Sequence, residues 1–290
     1  MLDNNIAVDR ITFLERLETR LTERVASGDS VRTNQMIWDR YVTLVFLHIQ
    51  QYRENSCEMR LQILGQVREI VPTNIDRTYI ELMYHSKMAT TYLYWNRVVE
   101  AETFLENALE LLKDCKNNFY RFIVLYNCIV VYRLMYMKTK DVKFVGKVEQ
   151  MYGLVLKISK DESGPELDVW GSLVFVHMAQ TYLGIDLFLE HHRDEVSIAR
   201  LQATRYFLTH LSKGLKLSTR REMFFNLAMA KLNELEGNIE CAVAYSQRAL
   251  TLTEDGAYFD KDRHNIELLS NSMVVAHTAF SRVIELCKEG

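Results

Sequence analysis

The 290-residue chain is 48% hydrophobic and 25% charged, with only 11 Gly and 2 Pro. So few turn-forming residues exclude a collagen-like chain, a Pro-rich linker and most many-turned β-sandwiches. A formal net charge of -3 gives the chain as a whole no pull towards phosphate backbones or anionic membranes, while 12 Met and an aromatic share of 11% supply a packed core.

At the start of the chain, Met1 to Asp9 lacks the basic flank and apolar centre of a signal peptide. Apolar residues then recur at helical spacing almost everywhere. Ile11, Leu14, Leu17, Leu21 and Val25 predict a first helix near 8–27, ending before Gly28. A second runs from Val31 to Glu54, and a third from Cys57 to Ile70, stopped by Pro72. Thr73 with Asp76, Ser163 with Glu166 and Thr219 with Glu222 have the spacing of a capping box, in which side chains satisfy free amides at a helix start. Pro165 suits an early helical position. A terminal helix near 262–288 carries Ile266, Leu269, Val274, Phe280, Val283 and Ile284. The expectation is an all-α chain of about twelve helices forming a single domain, 1–290. The longest charge-free apolar stretch, Val169 to Ile185, falls short of the roughly 20 residues of a membrane span and predicts a buried helix, with no membrane partner. Cys57, Cys115, Cys128, Cys241 and Cys287 are odd in number and scattered, with no Cys-x-x-Cys. They predict reduced thiols in an intracellular protein, cytoplasmic or nuclear.

Two segments repeat one pattern. Met88-Ala89 is followed by Tyr92 and Asn96, then by Ala101, Leu105 and Ala108; Met229-Ala230 is followed by Asn233 and Gly237, then by Ala242, Ser246 and Ala249. Ala at those points lets two antiparallel helices approach, and the large neighbours fill the gaps. The pattern resembles the tetratricopeptide repeat, a helix-turn-helix unit, over 82–115 and 223–256. Asn96 replaces the family's Gly, and Leu105, Asn233 and Ser246 replace its aromatics. Two degenerate hairpins, Asn118 to Ile158 and Glu166 to Leu217, fit between, and a further pair, Val31 to Ile70, precedes. The resemblance implies a right-handed superhelical solenoid of antiparallel helix hairpins, capped by the helices near 8–27 and 262–288.

Some tetratricopeptide domains hold C-terminal carboxylates with Lys and Asn on the inner face of each first helix. The corresponding positions here are Met83, Ser86, Thr90 and Tyr94 in one unit and Phe224, Leu227, Lys231 and Leu235 in the other. Lys231 alone has that chemistry, so the resemblance implies instead a groove with apolar and aromatic patches for an extended or helical peptide. Within Tyr92, Tyr94 and Trp95, Tyr92 reads as packing and Tyr94 as a contact.

Other clusters have bland readings. Glu190-His191-His192-Arg193-Asp194-Glu195 is rich in metal-ligand types, but it lacks a His-Glu-x-x-His pattern and falls where a helix ending near Phe188 turns; it reads as a solvated loop. His48, His85, His177 and His277 sit in apolar helical stretches and read as core residues. No Gly-x-Ser-x-Gly, Walker-type or Gly-x-Gly-x-x-Gly stretch occurs, so no catalytic residue, metal or cofactor is expected. Lys138, Lys140, Lys143 and Lys147 form a basic cluster, the last three on one helical face, and Arg193, Arg200 and Arg205 with Arg220-Arg221 make a second. These residues expect, in order, a non-enzymatic adaptor or scaffold holding a partner polypeptide, and a nucleic-acid-binding or sensing repeat protein. The terminal helix reads as an end cap or as a docking face for a second copy of the chain.

Overall fold

A computed structural model describes residues 57–69, 77–161, 165–185, 196–212 and 219–254, most of 263–275 with Thr278, Ala279 and Arg282, and five residues further towards the N-terminus: Arg16, Thr19, Glu23, Thr43 and Leu44. The expected helices near 8–27 and 31–54, apart from those five residues, and the Thr73–Asp76 spacing lie outside them. Among the described residues there is no strand, and nine helices have defined bounds: α1 (Cys57–Glu69), α2 (Arg77–Tyr94), α3 (Val98–Asp114), α4 (Asn118–Thr139), α5 (Lys143–Asp161), α6 (Pro165–Leu183), α7 (Ile198–Ser212), α8 (Thr219–Leu235) and α9 (Ile239–Glu254). Helical residues continue between Arg263 and Arg282. The chain divides into two compact units, 1–131 and 132–290, the division falling inside α4.

The joints explain why the helices fall into pairs. α2, α4, α6 and α8 each give way to a residue in the left-handed region: Asn96 (φ 63°), Lys140 (φ 59°), Gly184 (φ 65°) and Gly237 (φ 80°). After α2 the Arg97 amide donates to the Tyr92 carbonyl (2.9 Å) and Asn96 to Leu93 (3.0 Å). After α8, Asn238 donates to Asn233 (2.8 Å) and Gly237 to Glu234 (3.1 Å). After α6, Ile185 donates to Gln180 (3.0 Å) and Gly184 to Thr181 (3.3 Å). Each is the Schellman arrangement, which satisfies carbonyls that a helix end leaves orphaned and reverses the chain at once. Lys140 makes the simpler cap, its amide donating to Tyr136 (2.8 Å).

Neighbouring helices therefore pack on each other: α1 on α2, α2 on α3, α6 on α7 and α8 on α9. The six alanines of the repeat pattern, Ala89, Ala101, Ala108, Ala230, Ala242 and Ala249, are all fully buried. In the second unit Met223, Leu227, Ala230, Ala242 and Ala249 share a cluster with Ile266 and Leu269, so the helical segment after α9 covers that hairpin. A second cluster joins Val176, Ala179 and Leu183 of α6 with Leu208 and Leu211 of α7 and Ala228 and Leu232 of α8.

Two readings change in position. The helix expected to run to near Phe188 stops at Leu183, because Gly184 turns the chain there. Lys140 is in the joint rather than on a helical face with Lys143 and Lys147. The one helix among the described residues that passes a test of length and apolar composition for a membrane span is α4. It is long and apolar enough to cross a bilayer, yet 78% of that stretch is buried inside the protein, where a helix apolar all round belongs. It also carries the buried Arg133, whose Nη1 donates to the Ile185 carbonyl (3.1 Å) and caps the joint after α6. Cys57, Cys115, Cys128 and Cys241 are unbridged, and burial pushes the Cys128 thiol far up, as expected of an inert core residue.

Candidate functional site

The most polar interior in the first unit lies on one face of α2. Ser86 is fully buried, and its hydroxyl donates to the Met83 carbonyl (3.2 Å). It also accepts a bond from Asn127 Nδ2 of α4 (3.4 Å). The Asn127 carbonyl oxygen in turn accepts from Lys87 Nζ (3.4 Å). Asn127 sits in an otherwise apolar run, Phe122 to Val131, so burying its amide demands partners, and Ser86 and Lys87 are those partners. One turn further along, Thr90 Oγ1 bonds back to the Ser86 carbonyl (2.9 Å). At the end of α2 the half-buried Tyr94 ring carries the buried Arg60 guanidinium of α1, 5.7 Å from its centroid.

Lys87 is partly exposed, but its ammonium is poorly hydrated and faces the charge of Arg60. Burial first, and Arg60 second, lower its pKa from 10.5 to about 8. No carboxylate among the described residues pairs with it. Two of its three N–H groups find no protein acceptor there, and the third bond, at 3.4 Å, is long.

The equivalent face of α8, in the second unit, is apolar. Leu227 is fully buried in the hairpin core, so neither it nor Ser86 is a surface contact of the kind expected from the sequence. Phe224 packs against both core clusters of that unit, while Leu235 is 37% exposed at the helix end. Lys231, the residue with clamp-like chemistry in the sequence, bonds Glu234 Oε2 (2.5 Å) and is thus neutralised within its own helix. Of the eight expected contacts, Met83, Thr90, Tyr94, Phe224 and Lys231 stay partly accessible and Leu235 is exposed. Lys87 and Asn127 were missed. The signal was a lone Asn inside a ten-residue apolar run, which implies a polar partner on a neighbouring helix.

The basic cluster has a structural account. Lys143 Nζ lies 4.6 Å from the Phe144 ring centroid, Lys147 5.0 Å from Tyr132 and Lys140 5.7 Å from Tyr136. All three rings are buried, so the lysine stems cover them and leave no free ring face for a base to stack on. Lys143 also lies 3.5 Å from Asp141, and Lys138 is half-buried. Arg205 pairs with Glu236 (2.5 Å) and Arg200 lies 6.0 Å from the Tyr182 ring centroid. Arg193 and the rest of the 190–195 cluster lie outside the described residues. Beside Arg205, Tyr206 is 54% exposed and its ring lies 4.1 Å from that of the exposed His210.

Among the described residues no cluster of His, Cys, Asp and Glu is arranged to hold a metal ion. His85 lies 3.7 Å from Glu81 and in ring contact with Tyr84 and Phe104. Burial lowers its pKa, the Glu81 charge opposes that and Arg68 adds to it. His48 and His277 lie outside the described residues. Compared with models of known protein families, the chain matches none, and no curated protein matches it either.

Proposed function

We propose that the chain is a non-enzymatic adaptor that holds a segment of a partner polypeptide on the first helices of its hairpins, built as a right-handed, tetratricopeptide-like solenoid inside the cell. The observation that carries this reading is the recurrent joint. Asn96, Lys140, Gly184 and Gly237 each reverse the chain after the first helix of a pair, which is how a stack of like hairpins is made. A stack of this kind presents one helix from each pair to a common side, and it uses its small residues for packing rather than for chemistry. The accessible residues on the first helices, Met83, Thr90, Tyr94, Phe224 and Leu235, offer the apolar and aromatic anchors that peptide recognition needs. The covered rings beneath Lys143 and Lys147 favour this reading over one based on nucleic acid.

The test is affinity capture from the native source with the full chain and with the single variants Tyr94→Glu and Leu235→Glu, each first shown to keep its helical content. A polypeptide held by the unaltered chain should be lost from at least one variant, by about tenfold or more for removal of an anchor of this size. Undiminished capture by both variants would rule out these faces as the binding surface.

A further inference from the structure

We infer that Lys87, with Asn127 and Arg60 around it, is a seat for an oxyanion on a side chain of the partner polypeptide, a carboxylate or a phosphate. This rests on the adaptor reading above and adds the chemistry of one contact. Four observations meet at this place. Lys87 is half-buried, and burial holds its pKa down at about 8. Its single acceptor among the described residues is a neutral amide oxygen at 3.4 Å, which leaves two N–H groups to offer. Its position is fixed, because Asn127 is held in turn by Ser86, and Ser86 by the Met83 carbonyl. The second cation, Arg60, is buried on the adjoining helix, and its charge is felt at Lys87.

Structural lysines elsewhere in the chain are treated differently. Lys231 and Lys113 each meet a Glu three residues away, and Lys143 meets Asp141. At Lys87 the chain places a cation among polar groups, with no carboxylate among the described residues to pair with it. A desolvated ammonium of this kind gains far more from an anion than an exposed one does, since the attraction is screened less and the solvation has already been lost. An arriving oxyanion would take the two free N–H groups, and Lys87 would bind a proton as it docked. That proton uptake separates a true seat from loose attraction to a basic surface.

The experiment uses the full chain and three short peptides, blocked at both ends, that differ at one central residue: Glu, phosphoserine or Gln. Competitive acetylation read by mass spectrometry over a neutral-to-alkaline pH series gives the pKa of Lys87 with each. With Glu or phosphoserine, Lys87 should acetylate at least about fivefold more slowly near pH 8, because an opposing charge in contact raises a cation's pKa by one to three units. Whichever of the two peptides does so identifies the source of the oxyanion. The Gln peptide should leave the rate unchanged. Lys87→Met should remove the preference for charged over neutral peptide while the thermal midpoint stays equal or rises. An unchanged Lys87 rate with both charged peptides at saturation overturns the inference. So does a Lys87→Met chain that still prefers the charged peptides. Binding of all three peptides alike would overturn this seat and leave the adaptor reading standing. Capture that survives Tyr94→Glu and Leu235→Glu would instead remove the adaptor reading.

Discussion

The hairpins α2–α3 and α8–α9 are the same backbone device, 141 positions apart, filled with different chemistry. Both first helices end two residues before a left-handed joint, Asn96 or Gly237, and both second helices begin two residues after it, at Val98 or Ile239. Ala89, Ala101 and Ala108 answer Ala230, Ala242 and Ala249, and all six are fully buried. Around that frame the occupants diverge. Leu105 fills the second helix of one hairpin, while Ser246 stands in the other and meets Ser270 Oγ (3.3 Å). Tyr92 stacks on Phe104 (5.3 Å between centroids), whereas Asn233 bonds back to the Met229 carbonyl (2.8 Å). Ser86 and Lys87 correspond to Leu227 and Ala228, which are wholly buried and apolar. What repeats is what the close approach of two helices requires; what differs is free for function. The polar pair belongs to the α2–α3 hairpin alone.

The largest test of that comparison moves the cation. Ala228→Lys would set an ammonium in the core cluster of α6, α7 and α8, with no space and no acceptor prepared for it. A fully buried lysine shifts down by three to five units, so the cost at neutral pH should be about 4 kcal/mol or more. Urea unfolding should show it, and the loss should shrink in alkali as the unfolded-state lysine also gives up its proton. The natural Lys87 should display a milder form of the same linkage. With its pKa lowered to about 8, the folded chain binds fewer protons than the unfolded one between that value and 10.5. Its contribution to stability therefore rises with pH across that window and is flat below it. A variant at 228 as stable as the unaltered chain at neutral pH would mean that the two positions are interchangeable and that the α2 face is not special.

A smaller effect is expected at the joints, where the two hairpins reach one conformation by different means. Gly237 at φ 80° has open space where a Cβ would stand, so Gly237→Ala is penalised by backbone strain alone, about 1–2 kcal/mol. Asn96→Gly introduces no such strain and should change the denaturation midpoint by less than half as much. Equal losses at the two positions would show that the joints do not carry equivalent roles.

These cases also mark how far the sequence could be read. The hairpin register was legible because Ala, Gly and Asn at fixed offsets have steric reasons to be there, and Leu105 in place of an aromatic changes the filler without changing the frame. The joint at Gly184 was less legible. It lies between Leu183 and Ile185 in an apolar run, and only the left-handed φ reveals that the helix stops there. The polar interior beside the expected contacts was not legible. Helical spacing from Met83 and Tyr94 points to Ser86 and Thr90; Ser86 is wholly buried and Lys87 beside it is half-buried. The partner that settles this, Asn127, is 40 positions away on α4, and no local pattern encodes that meeting.

The smallest expected effect concerns a position where the two hairpins share a carboxylate and differ in what stands beside it. Glu81 meets Arg68 from α1 at 3.5 Å, and its counterpart Glu222 meets Arg248 from α9 at 3.5 Å. Four residues on, the α2 hairpin has His85 and the α8 hairpin has Asn226. Asn226 bonds back to the Glu222 carbonyl (2.7 Å) and needs nothing more from its surroundings at acid pH. His85 has a buried Nδ1 without a partner and a pKa held down by burial, against the opposing pull of Glu81 and with some help from Arg68. Because its folded pKa lies below the unfolded value of 6.5, the unfolded chain binds more protons as pH falls through that region. Stability present above it is lost on the way down, until the folded histidine also charges. His85→Asn should copy the α8 arrangement, its amide reaching the Glu81 carbonyl, and should remove this part of the acid sensitivity while leaving neutral stability nearly unchanged. Urea midpoints measured on either side of pH 6.5 decide the matter: the unaltered chain should lose more on acidification than the variant. Equal acid loss in both would show that His85 is not its source.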